Sequence, residues 1–209
     1  MKPSFIPAAR FHLLTPLFDK LSGFVGLGNR YRKQIIKTVN FPPTQINVLD
    51  AGCGTGSLAV DIKTKYQNIH LSAVDADPKM ITIAKEKSNH ANQQIQCTEA
   101  FLQKLPFPDN SFDIVYSSLV FHHLKTENKK DAMKEIHRIL KKDGLFLLID
   151  FCKPKHKIYA LFSWFTILFE EGDDNYQGKI PKMISDAGFK EVTEIQRYRF
   201  NISFTQAIK

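Results

Sequence analysis

The sequence predicts an α/β fold with a doubly wound sheet of seven strands that is mostly parallel and has an antiparallel strand at its C-terminal end. Three observations predict it. Apolar strand-like segments alternate with helix-like segments through residues 46–151, which is typical of βαβ units. A glycine-rich turn follows the first strand-like segment. The last two strand-like segments are joined by a short Asn-containing link that leaves no room for a crossover helix.

Each element follows from its local pattern. The predicted strands are INVLDAG, HLSAVDAD, IQCTEA, FDIVYSSLV and LFLLIDF, and the predicted helices between them are SLAVDIKTKY, PKMITIAKEKSNHA and DAMKEIHRILKKDG. In the last helix we expect Gly144 as the C′ residue that ends it, and an apolar face made by Ala132, Ile136, Ile139 and Leu140. KEVTEIQRYRF and ISFTQAIK predict an antiparallel hairpin at the sheet edge.

Charge and cysteine usage limit the classes of function. The net charge of +8 fits an anionic substrate, an acidic membrane surface, a nucleic acid or a lysine-rich solvated surface. The lysines are spread along helices and no RNA-binding module is visible, so we do not expect a nucleic-acid partner. Three separated cysteines form no disulfide framework or CxxC motif. With no signal-peptide pattern, we expect a cytoplasmic protein, with peripheral membrane contact as the alternative.

The turn after the first strand has three glycines at alternate positions. Gly52, Gly54 and Gly56 give the spacing GxGxG, which matches neither the GxxxxGK[ST] of a P-loop nor the GxGxxG of a dinucleotide site. Asp50, at the end of that strand, would repel a pyrophosphate and suits a ligand with an ammonium group. Asp75 ends the next strand, where a carboxylate accepts hydrogen bonds from ribose hydroxyls. A ribose, a nearby cation and no required phosphate describe S-adenosylmethionine.

These segments carry a family resemblance. VLDAGCGTG resembles the first motif of the class I S-adenosylmethionine-dependent methyltransferases, AVDADPKMITIAK is similar to their ribose-binding segment, and LPFPDNSFDIVYSSLVFHHL and EIHRILKKDGLFLLIDF resemble the motifs that follow. LPFPDNSFD is most like the ubiquinone/menaquinone-biosynthesis type. The resemblance implies a Rossmann-like fold and methyl transfer from S-adenosylmethionine, with S-adenosylhomocysteine as the product.

The resemblance also implies which residues hold the cofactor. The methionine end would be held by Asp50 and by the turn, which comprises Gly52, Cys53, Gly54, Thr55 and Gly56. Asp75 would bind both ribose hydroxyls, and Ser118 would line the site near the methionine moiety. Ala76 and Met80 would lie against adenine, with core packing as the alternative for Met80.

One position departs from the family's pattern. Before LPF the family usually carries a small polar pair that recognises adenine, whereas this chain has Phe101 and Leu102. We expect the backbone of these two residues to replace that contact while the phenyl ring packs on adenine. Glu99 and Gln103 are the alternative partners. The departure keeps open a catalytically silent relative that binds the cofactor.

The implied reaction is a direct displacement at the sulfonium methyl. The protein then has to align the nucleophile with the methyl group and exclude water. A general base is needed only if the nucleophile must lose a proton. His122 and His123 are the candidate catalytic residues, with a structural role in their loop as the alternative. Adjacent histidines without an acidic cluster are not a chelating pair, so we expect no metal.

Two segments should flank the acceptor. We predict residues 1–40 as an N-terminal helical cap on the substrate side and residues 41–209 as the methyltransferase domain, with an insertion at residues 153–179. The insertion contains IYALFSWFTILF, which has no polar face. It is therefore a buried packing helix, a lid over an apolar substrate, or a membrane contact beside the basic KPKHK.

The acceptor is predicted from what the motifs exclude. SSLV stands after the fourth strand where an NPPY-like motif or a Pro-Cys pair would favour methylation of nucleic-acid bases. We therefore expect a small, apolar acceptor such as a quinone or lipid precursor. An RNA or protein methyltransferase is the alternative. Nothing in the sequence specifies the oligomeric state.

Overall fold

The computed structural model describes residues 27–39, 41–154 and 171–209. Most of the predicted N-terminal cap and the aromatic part of the insertion lie outside these ranges, so both stay predictions. None of the helices within the ranges has the length and apolar character needed to cross a bilayer.

Helices and strands alternate along the described chain. The first half contains helix α1 Asn29–Thr38, strand β1 Asn47–Ala51, α2 Ser57–Lys65, β2 His70–Asp75, α3 Pro78–His90 and β3 Ile95–Glu99. The second half contains β4 Phe112–Ser118, a 3₁₀ turn Phe121–His123, α4 Thr126–Ile139, β5 Leu140–Phe151, α5 Asp173–Tyr176, α6 Ile180–Asp186, β6 Lys190–Tyr198 and β7 Ile202–Ile208.

The seven strands form one sheet in the order β3-β2-β1-β4-β5-β7-β6. The β1–β2, β2–β3 and β4–β5 pairs are parallel, and β7 is antiparallel to both β5 and β6. Only the short 3₁₀ turn Arg199–Asn201 connects β6 to β7, with Asn201 in the left-handed region at φ +66°. The chain therefore reverses at the sheet edge, which confirms the predicted fold class and its antiparallel C-terminal strand.

The chain divides into two compact units, one ending at Glu99 and the other beginning at Ala100. The core of the first unit includes Leu49 of β1, Val74 of β2 and Ile62 of α2, all fully buried. Strands that are almost wholly apolar are typical of parallel sheets covered on both faces.

The core of the second unit is aromatic as well as aliphatic. Tyr116 of β4, Phe146 of β5 and Phe204 of β7 are fully buried, and the apolar face of α4 supplies Met133 and Ile136. The i, i+3 spacing of these two residues places them on one face of the helix.

The predicted end of the helix over residues 131–144 is wrong. Helix α4 begins five residues earlier, at Thr126, and ends at Ile139, where β5 begins at once. The left-handed residue is Asp143, at φ +60°, while Gly144 lies inside β5 rather than at a C′ position. A Cβ on Gly144 would lie 2.8 Å from the carbonyl oxygen of Lys141. Glycine therefore allows the backbone of Lys141 to lie close to this position.

The physical reason is the pairing of Leu140. Leu140 is fully buried and pairs with Phe112 on β4, whereas the next pair along the strands joins Ile114 to Leu145. Four residues therefore stand between the paired positions of β5 and one stands between those of β4, which makes a bulge. The helix ends before Leu140 because the backbone of Leu140 pairs with the neighbouring strand, and this pairing buries its side chain.

Candidate functional site

The turn after β1 is fixed by backbone hydrogen bonds. The amides of Gly52 and Cys53 donate to the carbonyl oxygen of Val74 on β2, at 2.8 and 2.9 Å. The amide of Gly56 donates to the carbonyl oxygen of Cys53 at 3.0 Å. Gly52, Gly54 and Gly56 all have positive φ, at +87°, +52° and +75°. The alternate glycines are therefore required by backbone conformation.

Two of these glycines have different surroundings. A Cβ on Gly56 would lie 2.8 Å from the Cβ of Ala84 on α3, so Gly56 lets the start of α2 pack against α3. A Cβ on Gly54 would meet nothing within 4 Å. Gly54 therefore faces open space, where a ligand can approach the backbone closely.

Asp75 is oriented by the backbone at the carboxyl end of β2. Its Oδ2 accepts from the Gly54 amide at 2.8 Å, and its Oδ1 accepts from the Asp77 amide at 2.9 Å. Burial raises the pKa of this carboxyl group above its usual range, although the Asp77 and Gly54 amides act in the opposite direction. A carboxylate oxygen can accept more than one hydrogen bond, so each oxygen keeps capacity for a ribose hydroxyl.

Asp77 is a site residue that sequence reasoning missed. It is buried, and its side chain accepts from the Lys79 amide at 2.9 Å as the N-cap of α3, with Pro78 as the first helical residue. Asp-Pro before a helix-like segment is the signal that would have found it. Asp77 fixes the start of α3 and, through its own amide, the orientation of Asp75.

The remaining predicted residues of the first unit lie in or beside these elements. Asp50 in β1 and Thr55 in the turn are buried, Cys53 and Ala76 are half-buried, and Met80 is buried on α3. Burial, followed by the charges of Asp50 and Asp75, raises the pKa of the Cys53 thiol well above its ordinary value, so this thiol stays protonated. The site therefore offers carboxylates at two strand ends and no thiolate nucleophile at Cys53.

Three predicted cofactor residues belong to the second unit. Phe101 is half-buried, and its carbonyl oxygen accepts from the Lys104 amide at 3.0 Å in a turn. Leu102 is buried, and Ser118 is half-buried as the last residue of β4. Their roles toward adenine and methionine stay predictions.

The loop LPFPDNSF is held by α4. Arg138 donates to the carbonyl oxygens of Phe107 at 2.8 Å and Leu105 at 3.2 Å, and forms an ion pair with Asp109 at 2.7 Å. Glu135 pairs with the same guanidinium at 2.8 Å and accepts from the Leu105 amide at 2.9 Å. The residues that carry the family resemblance here thus make a loop clamped by one Arg–Glu pair.

A buried histidine–aspartate pair lies beyond β4. Nδ1 of His122 lies 2.7 Å from Oδ1 of Asp150, and the side chains are 5% and 2% exposed. Oδ2 of Asp150 accepts from the Phe121 amide at 2.8 Å, and its Oδ1 accepts from the Phe151 amide at 2.7 Å. Burial opposes ionisation of Asp150, but His122 and the backbone bond outweigh it and lower the carboxyl pKa. Asp150 is therefore a carboxylate, and Nδ1 of His122 carries the proton.

His123 has a different protonation state. Burial, with the charge of His122 adding to it, lowers the pKa of His123 to about 3. The two imidazole rings lie 3.9 Å apart between centroids, and the ring of Phe151 meets His122 edge-on at 4.8 Å. Of the two predicted histidines, His122 has the oriented ring and His123 stays neutral above pH 4.

Residues at the end of the predicted insertion pack against Phe151 and α4. The ring of Tyr176 on α5 is stacked with Phe151 at 6.2 Å, and the side-chain amide of Asn175 donates to the carbonyl oxygen of Phe151 at 3.1 Å. Lys129 of α4, fully buried, donates to the carbonyl oxygen of Glu171 at 2.7 Å and lies 3.4 Å from Asp174. Phe151 therefore contacts both the ring of His122 and the ring of Tyr176.

Comparison with known proteins places this geometry in a family. The family model described as a methyltransferase domain matches residues 49–148. The ubiquinone/menaquinone biosynthesis C-methyltransferase UbiE of Rickettsia bellii is 30% identical over an alignment that covers 84% of this chain and 80% of that protein.

Solved structures share the fold. The YcgJ protein of Bacillus subtilis is 26% identical, with a TM-score of 0.64 over 80% of this chain and 70% of that chain. A SAM-dependent methyltransferase of Aquifex aeolicus has the same TM-score of 0.64 at 21% identity, over 85% of this chain and 88% of that chain, and supports the fold alone. The chain therefore belongs to the class I S-adenosylmethionine-dependent methyltransferases and is similar within them to the ubiquinone/menaquinone biosynthesis type.

Proposed function

We propose that the protein transfers the methyl group of S-adenosylmethionine to a carbon atom of a small, apolar, aromatic acceptor such as a quinone precursor. The observation that carries the proposal is the buried His122–Asp150 pair, with Phe151 against the His122 ring and Tyr176 stacked on Phe151. The relative from Rickettsia bellii is named a C-methyltransferase, which supports carbon as the accepting atom.

The first unit fits the methyl donor. Asp75 would bind the ribose hydroxyls, and the open space beside Gly54 leaves room for the ligand next to the backbone of the turn. Asp50 at the end of β1 suits the ammonium group of the methionine moiety. The cofactor supplies an electrophilic methyl group whose leaving group is a neutral thioether. The chain therefore has to orient the acceptor and take up one proton.

His122 is proposed as the group that takes up this proton. As the new carbon–carbon bond forms, the carbon–sulfur bond breaks and its electron pair stays on sulfur. The ring hydrogen of the acceptor then leaves as a proton, which Nε2 of His122 accepts. Nδ1 lies 2.7 Å from Oδ1 of Asp150, so the neutral ring would keep its proton on Nδ1 and Nε2 would be the nitrogen that accepts. Asp150 stabilises the resulting imidazolium.

Aromatic side chains give the proposed site its preference for an apolar ring. Phe151 lies beside His122 and is stacked with Tyr176, and His123 is neutral at physiological pH because of its lowered pKa. A neutral aromatic surface favours flat, uncharged acceptors over anionic ones.

Methyl transfer from labelled S-adenosylmethionine into a fractionated cell extract tests the proposal. We expect label in the organic phase with the wild-type protein and a rate about 100-fold lower with His122→Gln. His90→Gln, an exposed histidine at the end of α3, is the control and should leave the rate unchanged. Label in RNA or protein instead, or an unchanged rate in His122→Gln, would contradict the proposal.

A further inference from the structure

A polar cleft lies in the first unit, at the edge of the sheet opposite Asp75. It is lined by the amino ends of β2 and β3 and by the adjoining helices, and its volume is about 590 Å³. β2 and β3 are parallel, so their amino ends lie together. His70 begins β2 and Asp75 ends it, a separation of about 17 Å at the usual rise per residue. The cleft is therefore separate from the proposed methyl-donor site.

The lining of the cleft has one sign of charge. It includes Lys63 from α2, Lys85 from α3 and His70 from β2, and no carboxylate occurs among the described residues that line it. Polar side chains complete the wall, among them Asn89 and Gln96. Two ammonium groups together with amides offer hydrogen-bond donors to an anion.

Lys63 is held in place by neutral groups. Its ammonium donates to the carbonyl oxygens of Gln67 at 2.8 Å and Ile69 at 2.7 Å. These carbonyls orient the charge without neutralising it, and burial lowers the pKa of the lysine. A partly desolvated cation is stabilised when an anion approaches it. The cleft thus presents an oriented positive charge on one wall.

The part of the lining that comes from α3 and the turn after it is fixed by hydrogen bonds. The Ser88 hydroxyl donates to the carbonyl oxygen of Gln93, whose amide donates back to the carbonyl oxygen of Ser88 at 2.9 Å. Asn92, in the left-handed region at φ +52°, makes the turn that joins α3 to β3. Lys85 and Asn89 project from α3, the helix that this turn ends.

We propose that this cleft binds a phosphorylated small molecule of about nucleotide size. The volume lies within the range of small-molecule sites. A phosphate group carries several acceptor oxygens and up to two negative charges, which match the two lysines. The amide side chains of the lining suit the sugar or base of such a ligand.

Calorimetry with ADP and with inorganic pyrophosphate tests the site. We expect the wild-type protein to bind both, and Lys85→Met to bind both about tenfold more weakly, because one charge-assisted hydrogen bond is lost. Lys65→Met is the matched control. It removes the same charge from α2 at a residue outside the lining, and should leave both affinities unchanged. Lys63→Met is the second test variant and should weaken binding to a similar degree.

The same titrations with S-adenosylmethionine separate this site from the methyl-donor site. Its affinity should be equal in all four proteins. Absence of ADP and pyrophosphate binding at about 1 mM, or equal weakening by Lys65→Met, would overturn the proposal. If the wild type does not bind S-adenosylmethionine, the proposed function is contradicted, whereas the ADP and pyrophosphate titrations still test the cleft.

Discussion

Nδ1 of His122 lies 2.7 Å from Oδ1 of Asp150, in surroundings that leave 5% and 2% of the two side chains exposed. Three backbone amides, those of Phe121, His122 and Phe151, also donate to the Asp150 carboxylate. The pair therefore joins the turn after β4 to the end of β5 as well as orienting the imidazole.

Replacing Asp150 should destabilise the protein strongly. Asp150→Asn leaves His122 without its carboxylate in a buried position, which should lower the free energy of unfolding by about 3 to 5 kcal/mol in urea denaturation near neutral pH. The folded-state pKa of Asp150 is lowered, so this contribution is present above the ordinary carboxyl pKa and is lost as pH falls through the lower folded value. The stability difference between the proteins should therefore shrink in acid.

Asp113→Asn is the matched control for that experiment. Asp113 pairs with Lys141 at 2.8 Å, but the two side chains are 30% and 42% exposed. Its loss should cost less than about 1 kcal/mol, as is typical of solvated pairs. Equal costs for the two substitutions would show that the His122–Asp150 pair is no stronger than a surface pair.

His123 should make stability depend on pH. Its folded pKa is about 3, against an ordinary value of 6.5, so the unfolded chain binds more protons between these values. Stability should therefore fall as pH falls from 6.5, by up to about 1.4 kcal/mol per pH unit from this group. Denaturation at a series of pH values should give a flatter slope for His123→Gln than for the wild type. An identical slope would contradict the buried, neutral state of His123.

Substitutions at the glycines of the turn should distinguish an effect on stability from an effect on cofactor binding. Gly56→Ala meets Ala84 at 2.8 Å with φ at +75°, and should cost about 2 to 4 kcal/mol of stability. Gly54→Ala also has a positive φ, at +52°, but its Cβ points into open space, so it should cost about 1 kcal/mol. Thermal denaturation checks the two stability costs. Calorimetry should show that Gly54→Ala weakens S-adenosylmethionine binding about tenfold or more. The proposed contact is wrong if affinity is unchanged.

Arg138 should control the order of the loop before β4. Arg138→Lys keeps the charge but loses the bonds that clamp Leu105, Phe107 and Asp109, and should cost about 2 kcal/mol. Hydrogen exchange of the loop amides should become faster. Arg197→Lys, which breaks a pair with exposed Glu194, is the control and should change stability by less than about 1 kcal/mol.

The sequence patterns were sufficient for the parallel strands and for the turn. Asp50 and Asp75 are the acids that follow the apolar runs of β1 and β2, and the structure places both at or next to the carboxyl ends of these strands. Asp150 has the same position at the end of LFLLIDF, and that signal would have found it. Its partner is 28 residues away along the chain, so the pairing with His122 requires the sheet topology.

Two other features depend on tertiary structure. Lys129 is fully buried, although a lysine among polar neighbours is typical of an exposed helix face. Its burial follows from Glu171 and Asp174, which lie more than 40 residues later. Likewise Gly144 follows a helix-like pattern, but the pairing of Leu140 with Phe112 ends the helix before it. Neither of these long-range contacts can be predicted from the local helix propensity of the sequence.

Calorimetric titration of S-adenosylmethionine into the wild type and Asp75→Asn tests the central claim most directly. The carboxylate of Asp75 is held by the Gly54 and Asp77 amides at 2.8 and 2.9 Å, ready to accept from a ribose. We predict binding by the wild type, weakening of about 30-fold or more in Asp75→Asn, and no change in Asp61→Asn, a half-exposed partner of Arg32. Equal affinity in wild type and Asp75→Asn, or no binding by the wild type, would contradict the account.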